Sequence, residues 1–342
     1  MKRIASIVLC VVLLAGILPG CRSEDVRKSG KLSIVTTIFP IYDWCREILG
    51  GETGNADLTM LLDSGVDLHS YQPTAADIIR ISDCDVFICV GGESDEWVED
   101  ALSGSDVNPD MKVVNLLDAL GSLVKEEKIV EGMEHDHDHD EDHDEDHEDH
   151  DEDHEEDHDH EEEPEYDEHV WLSLRNASVL VNALADVIAS ADPDRAETYR
   201  ANAAAYREKL DQLDGRYAEA VEAGNKSALL FGDRFPFRYM ADDYGLEYYA
   251  AFAGCSAETE ASFGTIVFLA QKADELGLTS VCQIESADGS IARTVAENTA
   301  SGEKTVLTFD SLQSVTAKDV SEGTTYLSVM EKNLTVLADA LK

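Results

Sequence analysis

From Leu32 onward the chain alternates short apolar runs with stretches in which apolar positions recur every three or four residues. The runs at 32–37, 58–62, 85–90 and 112–115 are predicted strands, and the segments between them, 41–49, 75–81 and 97–102, are predicted helices. Strand and helix patterns in alternation are the punctuation of a parallel sheet with crossover helices. A long helical pattern follows at 173–223, interrupted at Asp192-Pro193-Asp194. There Asp192 is predicted to cap a restarted helix with Pro193 in its first position. Leu210, Leu213 and Tyr217 keep one face of that helix apolar. A second alternating block repeats the first, with strands at 228–231, 247–250, 280–284 and 305–309 and helices at 235–244, 262–276, 290–298 and 326–341. The expected architecture is α/β: two lobes, each a mainly parallel sheet flanked by helices, joined by a long linking helix. The lobes fall at 32–172 and 226–342 with the linker at 173–225, and the cleft between them is the expected ligand site.

The chain start reads differently. Lys2 and Arg3 precede an apolar stretch at 4–18 that ends in Leu18-Pro19-Gly20-Cys21. A basic start, a short apolar segment and a cleavage point make a secretory signal over 1–20. A cysteine at that point resembles the lipobox of bacterial lipoproteins, with Pro19 an unusual neighbour. The expectation is a lipid anchor on Cys21, a polar tether at 21–31, and an extracytoplasmic protein held on the bacterial cell membrane.

Composition sharpens this picture at one place. The chain of 342 residues carries a formal charge of −46, which repels nucleic acid and attracts cations. Residues 134–163 consist of 21 Asp or Glu and 9 His and nothing else. Such a run has no apolar surface to offset ordering entropy, so disorder is expected. Imidazoles suit zinc, copper and nickel, and carboxylates add charge and hard oxygen donors. A plain acidic spacer would have no use for nine histidines when only two stand elsewhere. The tract therefore reads as a weak, multi-site metal binder. The cysteines beyond Cys21 (Cys45, Cys84, Cys89, Cys255 and Cys282) form no CxxC. Cys84, Cys89 and Cys282 lie in apolar runs and read as small buried hydrophobes; Cys255, in Gly254-Cys255-Ser256, is loop-like.

The two histidines outside the tract are His69, which follows a predicted strand, and His169, which precedes the long helical stretch. Their surroundings carry a resemblance. Thr36-Thr37-Ile38-Phe39-Pro40-Ile41-Tyr42, the segment from Gly65 through His69-Ser70-Tyr71-Gln72-Pro73-Thr74, and Asp167-Glu168-His169-Val170-Trp171-Leu172 resemble the metal-binding solute-binding proteins of zinc and manganese ABC importers. The resemblance spans nearly the whole chain after Cys21, including an acidic His-rich insertion typical of the zinc branch. It implies two α/β lobes around a rigid linking helix with the ion between them, and His69 and His169 as two ligands.

The second lobe departs from that family pattern. Where a His or Glu is usual, the sequence Phe231-Gly232-Asp233-Arg234-Phe235 has Gly232, which has no donor. Asp233 is the nearest carboxylate, and it reads equally as a ligand or as the N-cap of a helix. Arg234 can pair with a cleft carboxylate. The resemblance implies a further acid at the end of the last strand, which Asp310 matches, with Glu285 in reserve. Two imidazoles with one or two carboxylates suit Zn2+ and also Mn2+. The implied partners are an ABC permease, its ATPase, the divalent ion and the membrane, with the chain a monomer. The sequence holds no HExxH or GxSxG, so a secreted metallohydrolase is disfavoured. A surface metal buffer or adhesin without a transport partner remains an alternative.

Overall fold

Four short strands open the fold: β1 (Leu32–Thr36), β2 (Ala56–Met60), β3 (Val86–Cys89) and β4 (Lys112–Asn115). All are parallel, in the order β2-β1-β3-β4. The computed structural model describes residues 30–50, 53–104, 107–134, 165–256, 260–302 and 304–342. The predicted signal, Cys21 and all of the His-rich tract beyond Glu134 lie outside these residues. Every residue of β3 is buried, which is why its sequence reads as an unbroken apolar run rather than an alternation. The helices of this half are α1 (Phe39–Ile48), α2 (Ala75–Asp83), α3 (Trp97–Leu102) and α4 (Leu116–Leu120). The start of α2 is fixed by a reciprocal capping box between Thr74 and Asp77.

The long helical stretch is two helices side by side, α5 (Leu174–Ala191) and α6 (Ala196–Ala223). A single 3-10 turn, Pro193–Arg195, separates them. Asp192 stands before Pro193 as expected, but its side chain does not cap the turn. Instead its Oδ2 accepts hydrogen bonds from Arg195 and from the Tyr199 hydroxyl, at 2.9 and 2.7 Å. At 1.5 Å per residue α6 is about 42 Å long, and it packs on α1 in the first half and on the C-terminal helix in the second.

The second half repeats the first. Strands β5 (Ala228–Arg234), β6 (Glu247–Phe252), β7 (Ser280–Ile284) and β8 (Thr305–Phe309) are parallel in the order β6-β5-β7-β8. Around them lie α7 (Arg238–Tyr244), α8 (Phe263–Glu275), α9 (Ser290–Glu297), α10 (Ala317–Ser321) and α11 (Tyr326–Ala340). Strand β5 runs three residues beyond its predicted end, and its register against β6 shifts between Phe231 and Arg234. That irregularity re-aims the side chains of Asp233 and Arg234.

A large apolar core runs through both halves, and a smaller separate cluster that includes Leu269 and Val281 lies within the second. At the seam the fully buried Trp171 donates its indole N–H to the Ser311 carbonyl at 2.9 Å, and the Tyr326 hydroxyl donates to the Trp171 carbonyl at 2.6 Å. Asp43 of α1 accepts from the backbone N–H of Tyr326, the first residue of α11, at 2.8 Å. The halves are therefore stitched by buried hydrogen bonds as well as packing, and the loops that follow their strands meet across this seam. Among the described residues no helix is long and apolar enough to cross a membrane.

Candidate metal centre

His69 and His169 arrive at the seam by the same local device. Each is the third residue of an Asp-x-His triplet, Asp67-Leu68-His69 and Asp167-Glu168-His169. In each, the aspartate Oδ1 accepts the backbone N–H of the histidine, at 3.1 and 3.0 Å. A 3-10 turn then carries the chain onward, Leu68–Ser70 in one case and Val170–Leu172 in the other. The aspartates fix where the histidine backbone sits before any ring contact is made.

The rings are held by their Nδ1 atoms. His169 is fully buried, and its Nδ1 lies 3.0 Å from Asp167 Oδ1. A carboxylate oxygen at this distance is the natural acceptor of an Nδ1 proton, so the contact favours the Nδ1–H tautomer. His69 Nδ1 lies 2.7 Å from Ser94 Oγ and 3.6 Å from Glu168 Oε2. Those acceptors likewise favour a proton on Nδ1. Both Nε2 atoms then present bare lone pairs, and they face one another at 3.2 Å. Two lone pairs at that distance repel unless a cation lies between them. Two imidazoles bound to one tetrahedral zinc at about 2.0–2.1 Å place their nitrogens about 3.3–3.4 Å apart. The spacing fits.

The electrostatics disfavour an imidazolium at His69. Burial, and then the neighbouring His169, push His69 down to about 3. Burial pushes Glu168 up to about 7, even though Ser94 hydrogen-bonds to it. Glu168 Oε1 accepts the Ser94 N–H at 2.9 Å, while Oε2 has no hydrogen-bond partner among the described residues. A cation on His69 would polarise Nδ1–H toward this oxygen. Ser94 itself rests on a loop pinned by Asp95, whose Oδ2 accepts the N–H groups of Val90 and Gly91 at 2.7 and 3.0 Å. Gly92 has φ 80° and sits so close to Glu168 that a Cβ would fall 2.4 Å from Oε1, so only glycine allows this approach.

The carboxylates expected as further ligands stand outside the close cluster of donors that holds the two histidines. Asp233 belongs to β5, and both its oxygens are engaged: Oδ1 accepts the Arg234 N–H and Oδ2 the Ile284 N–H, each at 2.9 Å. It ties the end of β5 to β7, and it caps no helix, since α7 begins only at Arg238. Asp310 does follow the last strand, but its Oδ1 accepts the Leu312 N–H at 2.8 Å. Burial and the nearby Glu285 push it up to about 6. Glu285 accepts the Ser311 N–H at 2.7 Å and two serine hydroxyls, those of Ser311 and Ser314. None of the three joins the histidine pair in a cluster of donors. Arg234 forms an ion pair with Asp67 across the seam, so the expected pairing with a cleft carboxylate is present and its partner is the residue that positions His69.

The residue brought to the histidines is one the sequence left open. Donor atoms of His69, His169 and Cys255 all lie within 4.8 Å of one another. Four other cysteines among the described residues are buried and free, as expected for Cys84, Cys89 and Cys282; Cys255 is partly exposed. Beside the triangle opens a cavity of about 470 Å³, lined by Asp67, His69, Asp233, Arg234 and the segment 286–291 among others.

Comparison with known proteins gives the same direction. The profile of a family described as zinc-uptake complex component A, periplasmic (ZnuA) matches residues 34–340. The zinc-binding lipoprotein AdcA of Streptococcus pneumoniae is 33% identical over 341 residues, covering 98% of this chain and 60% of that one. The chain thus spans about 60% of the length of that relative. The high-affinity zinc uptake system protein ZnuA of Bacillus subtilis is 29% identical over 340 residues, covering 98% of this chain and 96% of that protein. Among solved structures, the Zn(II)-bound ZnuA-like domain of S. pneumoniae AdcA superposes with a TM-score of 0.65 at 27% identity, covering 91% of this chain and 99% of that domain.

Proposed function

The chain belongs to the family of zinc-uptake complex A components, and from that premise we propose that it captures Zn2+ outside the cytoplasm and hands it to an ABC permease. Capture occurs at the seam between the halves, with His69 and His169 as the first two ligands. Binding and release of the ion are the whole activity, and no covalent bond of a substrate is made or broken. The observation that carries this reading is the pair of Nε2 atoms facing at 3.2 Å, each turned that way by a hydrogen bond at its own Nδ1. Hydrogen bonds of this kind orient metal-binding imidazoles and set their tautomer. A lipid on Cys21 keeps the protein at the membrane, within reach of the permease. The His-rich tract at 134–163 acts as an auxiliary collector whose ions are held more weakly than the one at the seam.

Calorimetric titration of zinc into the full chain, into His69→Ala and into a chain lacking 134–163 tests this. One tight site that survives loss of the tract and disappears in His69→Ala is the expected result. Tight binding that persists in His69→Ala, or that vanishes only with the tract, overturns the assignment.

A further inference from the structure

We propose that Cys255 is the third protein ligand of the captured ion, bound as a thiolate and standing in for the donor that Gly232 lacks. The inference rests on His69 and His169 being ligands, and it adds the donor that sets which metal the site takes.

Three observations carry it. First, Cys255 stands with the two histidines in a triangle of donor atoms no more than 4.8 Å on a side. An ion at about 2.3 Å from sulfur and 2.0–2.1 Å from each nitrogen closes such a triangle with a small movement of one loop. Second, the loop is built to approach. Gly254 lies against the His169 ring, where a Cβ would come within 3.2 Å of Cε1 and Nδ1 and 3.0 Å of the Phe235 carbonyl. The Cys255 N–H is held by Glu127 Oε1 at 3.0 Å, and the chain turns tightly there, with the Ser256 N–H reaching the Ala253 carbonyl. A cysteine serving only as apolar filling would not need its backbone clamped beside two imidazoles.

Third, the usual donor position is closed. A Cβ on Gly232 would fall 2.4 Å from Cα and 2.7 Å from N of Ala292, so the first turns of α9 occupy the space a side chain would cross. No histidine or glutamate can be seated at 232 without displacing that helix backbone. The second half must supply its donor from outside β5. Cys255 follows β6, next to β5 in the sheet, and is the nearest alternative that the triangle contains.

On binding, the sulfur–hydrogen bond gives way to a sulfur–metal bond and one proton leaves to solvent for each ion taken up. Thiolate with two imidazoles is a soft donor set. It selects zinc, and cobalt as its spectroscopic substitute, over the harder manganese. The open choice between zinc and manganese that an all-carboxylate second half would leave is thereby decided for zinc.

Cobalt(II) titration of the full chain reads the sulfur directly, since a thiolate ligand gives an intense near-ultraviolet charge-transfer band that imidazole and carboxylate do not. The tract has no cysteine, so it cannot produce the band. The expected result is a band present in the parent chain, absent in Cys255→Ser and in His69→Ala, with zinc affinity in Cys255→Ser lowered roughly 100-fold. Cys255→His, with a donor restored, should recover zinc affinity without the band, which separates loss of a ligand from loss of folding. If zinc binds tightly and depends on His69 but no band forms and Cys255→Ser binds normally, the cysteine is not a ligand and the histidine pair stands without it. If zinc binding is indifferent to His69, both assignments fall together.

Discussion

Asp167 holds His169 at two points, its Oδ1 accepting both the backbone N–H and the ring Nδ1–H at 3.0 Å. A single carboxylate oxygen thus fixes where the residue sits and which ring nitrogen is free. Loss of such a partner typically costs 10–100-fold in metal affinity. Asp167→Ala is expected to lower zinc affinity by about that factor in a chelator competition assay, with Asp167→Asn intermediate, because the amide oxygen still accepts but carries no charge. An unchanged affinity in Asp167→Ala would show that the ring is held by packing against Trp171 instead.

The loop beneath the site should carry a pH signature. Burial pushes Asp95 up to about 6 in the folded chain, above the unfolded range near about 4. A group raised on folding contributes stability that is full below the unfolded pKa and is lost as pH rises through the folded one. Compared with Asp95→Asn, the parent chain should therefore lose about 2–3 kcal/mol between pH 4 and 7. Thermal unfolding of both proteins across that range measures the difference, and parallel curves would contradict it.

Gly232 should tolerate no side chain. Gly232→Ala is expected to destabilise the fold by about 3 kcal/mol or more through overpacking, because the atoms it meets are the backbone of Ala292. Ala292→Gly should not rescue it, since it removes the Cβ at 3.0 Å and leaves Cα at 2.4 Å in place. Chemical denaturation of the single and double variants decides the point; full rescue would mean that α9 shifts freely.

Selectivity should follow the donor at 255. Cys255→Asp replaces a soft ligand with a hard one, so the ratio of zinc to manganese affinity is expected to fall by at least about tenfold. Competition between the two ions in the parent and variant chains reads this ratio. No change would place the determinant of selectivity outside this residue.

Much of the fold is written locally in the sequence. Strands such as β3, buried on every residue, leave an unbroken apolar signal, and Pro193 marks the helix break by removing a backbone donor. The end of β5 was harder to see because Gly232-Asp233-Arg234 has turn-like composition, whereas the Asp233 carboxylate bonds the Ile284 N–H and carries the strand on past its register shift. The histidine pair stood out because it lies apart from the tract within distinctive surroundings. Cys255 has no such local mark. Its place beside the histidines depends on where the loop after β6 runs, and that loop is held by Glu127 and by the His169 ring, contacts between positions far apart in the chain. Asp310 shows the converse: its place after the last strand is legible in the sequence, but the turn of its carboxylate back to the Leu312 N–H is not.

The two sheets share one strand order, β2-β1-β3-β4 and β6-β5-β7-β8, with the connecting loops gathered at a common seam. An ion at the seam, as proposed, would be approached by separate loops, each anchored to its own strand. With Cys255 as the proposed donor, what Gly232 lacks near the end of β5 is supplied from the loop after β6, while the scaffold is untouched. Such a frame lets binding preference drift by exchanging one loop residue for another, so proteins with the same backbone can come to carry different ions.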